Sequence, residues 1–137
     1  MPEENHSLVT GGNDPFLPKL IAGINQATRI DIAVSFVRAS GLSLIKNALE
    51  DALEADAKVR IITSGYLNIT EPKALRMLMI LQEKGAQVKI FESGNTAFHM
   101  KSYIFVHRED RTSKDGIAYV GSSNISQSAL SHGLEWN

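Results

Sequence analysis

His99 and Lys101 stand two residues apart in Phe98-His99-Met100-Lys101, a run that reads as the start of a β-strand. Side chains on a strand repeat every two residues, so the imidazole and the ammonium project from one face, which Tyr103 and Phe105 continue. The Lys charge disfavours protonation of the His, and the pair makes chemical sense where an anion lies between them. Phosphate is the natural candidate. Alone, a His-x-Lys is a weak signal, because two polar residues ending a strand usually point at water.

Gly121-Ser122-Ser123-Asn124 raises the odds. It follows the next strand and precedes a helix, which puts two hydroxyls, an amide and helix-start N–H groups at one anion-friendly point. The competing reading is capping, with Asn124 and Gln127 as a capping-box-like pair. Glu135 is a third element. A carboxylate bonded to one nitrogen of His99 would fix the tautomer and leave the other nitrogen free to attack; taken alone, Glu135 is a solvated surface residue.

Other chemistry is scarce. His107 lies eight residues past His99, roughly 26 Å along a straight strand, near a hairpin tip. His132 is near Glu135 in sequence, and both read as solvated loop residues. No two His are three to five apart and the carboxylates do not cluster, so no metal site and no cofactor are expected. There is no cysteine, which excludes disulfides, a thiol nucleophile and Cys-type zinc sites. Lys plus Arg total 14 against 15 Asp plus Glu, a net charge of -1, so no global polycation is available and a phosphate must be held locally.

The elements that must position these residues alternate. At 137 residues, 43% hydrophobic and 21% charged, the chain has the composition of one soluble globular domain. Residues 1–13 read as a flexible leading segment and 14–137 as the domain. Asp14-Pro15 opens a helix to Ala27, and Arg29 to Val37 alternates as a strand. Ser40 caps a helix to Ala55, and Val59 to Thr63 is a buried strand. Thr70-Glu71-Pro72 opens a third helix with Gly85 as its C-cap, and a strand follows to Phe91. These are βαβ units of a parallel sheet. His99 to Arg108 and Gly116 to Gly121 then form a hairpin around the charged loop 109–115, before a short helix to about Ser131 and a strand-like Leu134-Glu-Trp. The acidic start and the lack of an apolar run near ~18 residues predict a cytoplasmic protein with no membrane partner. The half-apolar finish predicts a piece of a longer protein.

Taken together, His99-Met-Lys101, Gly121-Ser-Ser-Asn124 and Glu135 resemble the HKD signature of the phospholipase D superfamily, His-x-Lys-x4-Asp, then Gly-Ser-x-Asn and a downstream acid. The signature spans about 99–137, and the preceding α/β order is similar to that fold. Two departures stand out: Val106 occupies the position of the family's Asp, and residues 107–120 make a longer intervening hairpin.

The resemblance implies a phospholipase D-like α/β/α sandwich with a mixed, mostly parallel sheet. It implies a metal-independent phosphodiesterase in which His99 attacks phosphorus to form a phosphohistidine and a second His protonates the leaving group. Lys101, Asn124 and Ser122 or Ser123 would hold the non-bridging oxygens, and Glu135 would orient His99. The family uses two HKD halves. None of His6, His107 and His132 has a Lys two residues later, so the resemblance implies a homodimer with its active site at the interface.

Three functional classes follow. The first is a nuclease-like domain of the single-HKD type, as found in restriction endonucleases or fused to the amino terminus of superfamily II helicases, with the helicase or another domain downstream. The second is a phosphate- or nucleic-acid-binding module that grips without cutting. The third is a phospholipid phosphodiesterase, disfavoured by the single half-motif and by the lack of an interfacial helix with a basic face.

Overall fold

The computed structural model describes residues 7–65, 71–92, 98–109, 114–135 and 137. Along the chain run α1 (Phe16–Gln26), β1 (Arg29–Val34), α2 (Ala39–Glu54), β2 (Lys58–Ser64), α3 (Pro72–Glu83), β3 (Gln87–Phe91), β4 (Lys101–Glu109), β5 (Lys114–Val120) and a π-helical turn, Ser128–His132. The strands form one sheet in the order β3-β2-β1-β4-β5. β1 pairs with β2 and β2 with β3 in parallel, while β4 is antiparallel to both β1 and β5. Two of the four pairings are parallel and two antiparallel, with β4 alone running against the rest, so the sheet is mixed, and the chain has the α/β fold its sequence predicts.

The alternation in β1 buries Ile30, Ile32 and Val34 on one face. Ile30 is in register with Val59 of β2 and Phe105 of β4, and residues paired across a sheet share a face. The steps from β1 through α2 to β2 and through α3 to β3 move the same way along the sheet, and right-handed crossovers then put both helices on that face. There α2 packs between α1 and α3 over one continuous core containing Leu20, Leu42, Leu49 and Leu78. Gly23 of α1 is needed for this approach, because a Cβ there would come within 2.7 Å of the Phe105 ring. On the opposite face the Asp31 carboxylate accepts from Arg60 Nε at 2.6 Å, Arg60 Nη2 at 2.8 Å and Arg29 Nε at 3.0 Å.

Pro72 opens α3 as expected, and Gly85, at φ 114°, takes the left-handed position beyond its end. Elsewhere the boundaries move for identifiable reasons. α1 has Pro15 at its N-cap, and Asp14 makes no cap bond; it pairs with Lys19 at 3.6 Å. Ser40 lies inside α2, whose N-cap is Arg38. Arg38 N donates to Ile125 O at 2.8 Å, which holds the chain extended to that residue and lets the helix begin directly after it. β4 starts at Lys101, so His99 precedes the strand. Lys101 pairs with Val34, the last residue of β1, and beyond it no neighbouring strand remains to pair with.

Pairing of Glu109 with Lys114 carries β4 and β5 into the expected loop. The helix expected from Ile125 is a five-residue π-turn. Val9, in the leading segment, is buried and exchanges backbone hydrogen bonds with Asn137 at 3.0 and 3.1 Å, and Glu135 N donates to Thr10 O. His6, Thr70, loop residues 110–113 and Trp136 lie outside the described residues.

Candidate active site

Because β4 runs against β1 and β5, its first residue meets their last ones. Lys101 pairs with Val34, and Gly121 N donates to Lys101 O at 3.1 Å. The topology therefore carries His99, Lys101 and the Gly121–Asn124 run to one edge of the sheet, at the carboxyl ends of the parallel strands. Open α/β sheets bind their ligands there.

Lys101 shares a face with Val34 and Tyr103, the face the helices cover. It is half-buried, and its Nζ donates to the carbonyl oxygen of His99 at 2.8 Å. His99 itself is exposed, immediately beyond the strand. Ser122 is exposed, whereas Ser123 and Asn124 are buried.

Asn124 does not act as a helix cap. Its Oδ1 accepts from Ser35 N at 2.9 Å and Phe36 N at 3.2 Å, the first two N–H groups past β1. Ser35 Oγ in turn donates to Met100 O at 3.4 Å, and Ser64 Oγ, from the end of β2, donates to Ser35 O at 2.7 Å. One polar knot thus ties β1, β2, the residue between His99 and Lys101, and the Asn124 loop. With its oxygen committed, Asn124 retains its amino group as the donor it can offer an anion.

Ser123 is held from three sides. Its N–H donates to Asn137 Oδ1 at 3.2 Å, its Oγ accepts from Asn137 Nδ2 at 2.6 Å, and its carbonyl accepts from Tyr103 Oη at 2.9 Å. Burial pushes the Tyr103 phenol far above its ordinary value, and the nearby negative charge of Glu135 adds to the shift. Glu135 is half-buried and its Oε2 accepts from Ser122 Oγ. The carboxylate thereby joins the motif through the exposed serine.

Sequence reasoning passed over Ser35, Ser64 and Asn137. Asn137 had a signal in its place two residues after Glu135; the serines had none, because their role is set by strand ends meeting in space.

His107 corrects an expectation. It lies in β4 beside a bulge between Val106 and Arg108, half-buried, with its Nε2 shut away from solvent. His132 is exposed beside Ser131, Nδ1 to Oγ 3.1 Å. Val106 pairs with Arg29 and Gly116. It is five residues from Lys101, about 17 Å along the strand, at the end of the sheet away from the site. Among the described residues no group of three or more His, Asp or Glu could hold a metal, and no helix is long and apolar enough to cross a membrane.

An exposed imidazole, an ammonium, an amide and a hydroxyl gathered at one edge suit a tetrahedral oxyanion. The family described as cardiolipin synthase, PLD-like domain, matches residues 20–137. Among solved structures, polyphosphate kinase from Porphyromonas gingivalis is similar, with a TM-score of 0.60 and 18% identity over 81% of this chain and 18% of that chain. TrmBL2, an archaeal chromatin protein whose structure shows a novel mode of DNA binding, is similar with a TM-score of 0.48 and 13% identity over 88% of this chain and 47% of that chain. The chain thus spans less than a fifth of the kinase and about half of TrmBL2. None of the curated proteins matches the sequence.

Proposed function

The chain belongs to the PLD-like domain family, and from that premise we propose that it is a metal-independent phosphodiesterase that cleaves nucleic acid through a phosphohistidine. The observation that carries this reading is the Asn124 knot, which ties the Asn124 loop through Ser35 to Met100, the residue between His99 and Lys101, at the sheet edge.

In this mechanism an imidazole nitrogen of His99 attacks phosphorus, and the bond to the leaving oxygen breaks as a general acid gives that oxygen a proton. Water then attacks phosphorus, giving a proton to the group that had served as general acid, and the phosphorus–nitrogen bond breaks to free His99. Lys101 and the Asn124 amino group hold the non-bridging oxygens as charge develops, while the Ser122 hydroxyl gives its one proton to Glu135. Ser123, buried against Asn137, shapes the loop that presents them. Glu135 orients the imidazole and, through Ser122, the loop.

The general acid comes from His99 of a second copy in a symmetric dimer. Supporting this, Met100, Val120 and Leu134 adjoin site residues in sequence and are 58%, 72% and 86% exposed, which gives the edge an apolar rim suited to a self-complementary contact. The same reading makes the chain a cytoplasmic module of a longer protein, such as a helicase or restriction enzyme. A catalytically silent binding module is less well supported. Val106, the residue that departs from the signature, lies at the other end of β4 from Lys101, so its lack of a carboxylate takes no group from beside Lys101.

The test is hydrolysis of a small phosphodiester and of a labelled oligonucleotide in excess EDTA, comparing the wild type with His99→Ala. Turnover in EDTA that vanishes in the variant is expected. No turnover, with oligonucleotide binding kept by both proteins, would transfer the assignment to the binding module.

A further inference from the structure

The groups gathered around His99 account for one phosphate, whereas a nucleic-acid strand presents a row of them. We propose that Arg38 binds the next phosphate along the strand and so selects an oligonucleotide over a small diester; the inference rests on the reading above.

Arg38 is built into the same edge. Its N–H donates to Ile125 O at 2.8 Å, one residue past Asn124, while Phe36, two residues before it, donates to Asn124 itself. Its side chain extends toward the start of α3, where Nη1 lies 3.5 Å from Glu71 Oε1. α3 follows β2 and leads to β3, so the guanidinium reaches from β1 over the β2 side, away from Lys101 on β4. Lys101, paired with the last residue of β1, and Arg38, four residues past that end, thus belong to the same edge of the sheet, on different strands' continuations, and a ligand strand crossing that edge can meet both.

The helix that Arg38 caps gives no reason for a cation here. Arg38 occupies the N-cap of α2, whose first turn holds no acid, and a positive charge at a helix N-terminus is disfavoured by the helix dipole. The side chain is half-exposed, and its contact to Glu71 is a single one, longer than a hydrogen bond. Most of its five donors remain for the planar, bidentate grip that guanidinium makes on phosphate. Arg29 and Arg60 are not available in this way, since both are bonded to Asp31 on the opposite face. Glu71 competes with the ligand for Arg38.

That competition makes the proposal testable with two variants of opposite sign. Binding of a labelled single-stranded oligonucleotide is measured by fluorescence anisotropy across a salt series for the wild type, Arg38→Ala and Glu71→Gln. Arg38→Ala is expected to weaken binding about 5- to 10-fold and to flatten the log–log salt slope by about 0.7, one phosphate contact to a single strand. Glu71→Gln is expected to tighten it. In turnover, the ratio of kcat/KM for oligonucleotide to that for a small diester falls in Arg38→Ala through KM, and Arg38→Lys restores part of the ratio.

Equal affinities for wild type and Arg38→Ala overturn the proposal, as does Glu71→Gln weakening binding alongside Arg38→Ala, the result for a merely structural pair. A protein that binds as expected but hydrolyses neither substrate keeps the Arg38 subsite and loses the phosphodiesterase. Small-diester hydrolysis without oligonucleotide binding does the reverse.

Discussion

Asn124 Oδ1 accepts a 2.9 Å hydrogen bond from the backbone of Ser35, a residue 89 positions earlier in the chain. This contact joins the loop that carries the candidate phosphate donors to the central strand of the sheet. It also separates the two ends of one amide: the oxygen holds the fold, and the amino group is the end that the proposed mechanism offers to phosphate. Stability and turnover should therefore respond differently to different substitutions of one residue.

Asn124→Ala strips the acceptor from two N–H groups at the end of β1, those of Ser35 and Phe36. An unsatisfied buried donor costs about 1–3 kcal/mol, so the variant should lose roughly 2–4 kcal/mol in urea denaturation. Asn124→Asp keeps an acceptor and removes the donor. It should keep most of the stability while kcat falls about 100- to 1,000-fold. An Asp variant as active as the wild type would take Asn124 out of the phosphate site.

Tyr103 should ionise only when the protein unfolds. Burial, aided by the charge of Glu135, raises its folded pKa far above the ordinary 10.0. The unfolded chain therefore releases a proton above about pH 10 that the folded chain keeps, and stability, fully present below that pH, falls as pH rises through it. Alkaline titration by tyrosinate absorbance should show one tyrosine appearing together with the loss of helix. In Tyr103→Phe that late step disappears, and stability at neutral pH drops by about 1 kcal/mol through the lost bond to the Ser123 carbonyl.

The sequence periodicities were enough for the α/β order, because Ile30, Ile32 and Val34 alternate and Leu42, Ile45 and Leu49 recur at helical spacing. Gly121-Ser-Ser-Asn124 also stood out by residue type and order, and the structure brings that run to the first residue of β4, where Gly121 N donates to Lys101 O. What local pattern could not supply was where strands stop. His99 looks like a strand residue from its neighbours, yet β4 begins only at Lys101, opposite Val34, where β1 first offers it a partner. His107 looks like loop because of the charged run after it, but continued pairing with β5 keeps it half-buried. Ser35, Ser64 and Asn137 were invisible for the same reason: each is an ordinary polar residue until a strand end from elsewhere meets it.

Asp31 should govern part of the acid limb of stability. The Arg60 guanidinium above all, and Arg29 with it, outweigh burial and hold its carboxyl below the ordinary 3.8. The folded state then binds its proton less readily than the unfolded one, so this stabilisation is complete above about pH 4 and is lost as pH falls through the folded pKa. The arginines are half-exposed, which limits the contribution to about 0.5–1 kcal/mol. Asp31→Asn should lower stability by that amount at pH 7 and flatten its decline below about pH 4. An unchanged acid limb by denaturant titration would show that the three-residue cluster is energetically idle.

Val106→Asp tests whether the departure from the signature matters. Val106 pairs with Arg29 on one side and Gly116 on the other, while Lys101 pairs with Val34 at the opposite end of the same strand pair. An aspartate at position 106 is about 17 Å along the strand from Lys101, a separation at which screened charges barely interact in ordinary salt. Restoring the carboxylate should therefore change kcat/KM on a small diester by less than about twofold, since a factor of ten requires about 1.4 kcal/mol at the transition state. Any effect should appear in stability, through the neighbouring Arg29. A gain of tenfold or more in turnover would mean that this end of β4 communicates with the site through the strand itself, and the site would then extend along the whole of β4.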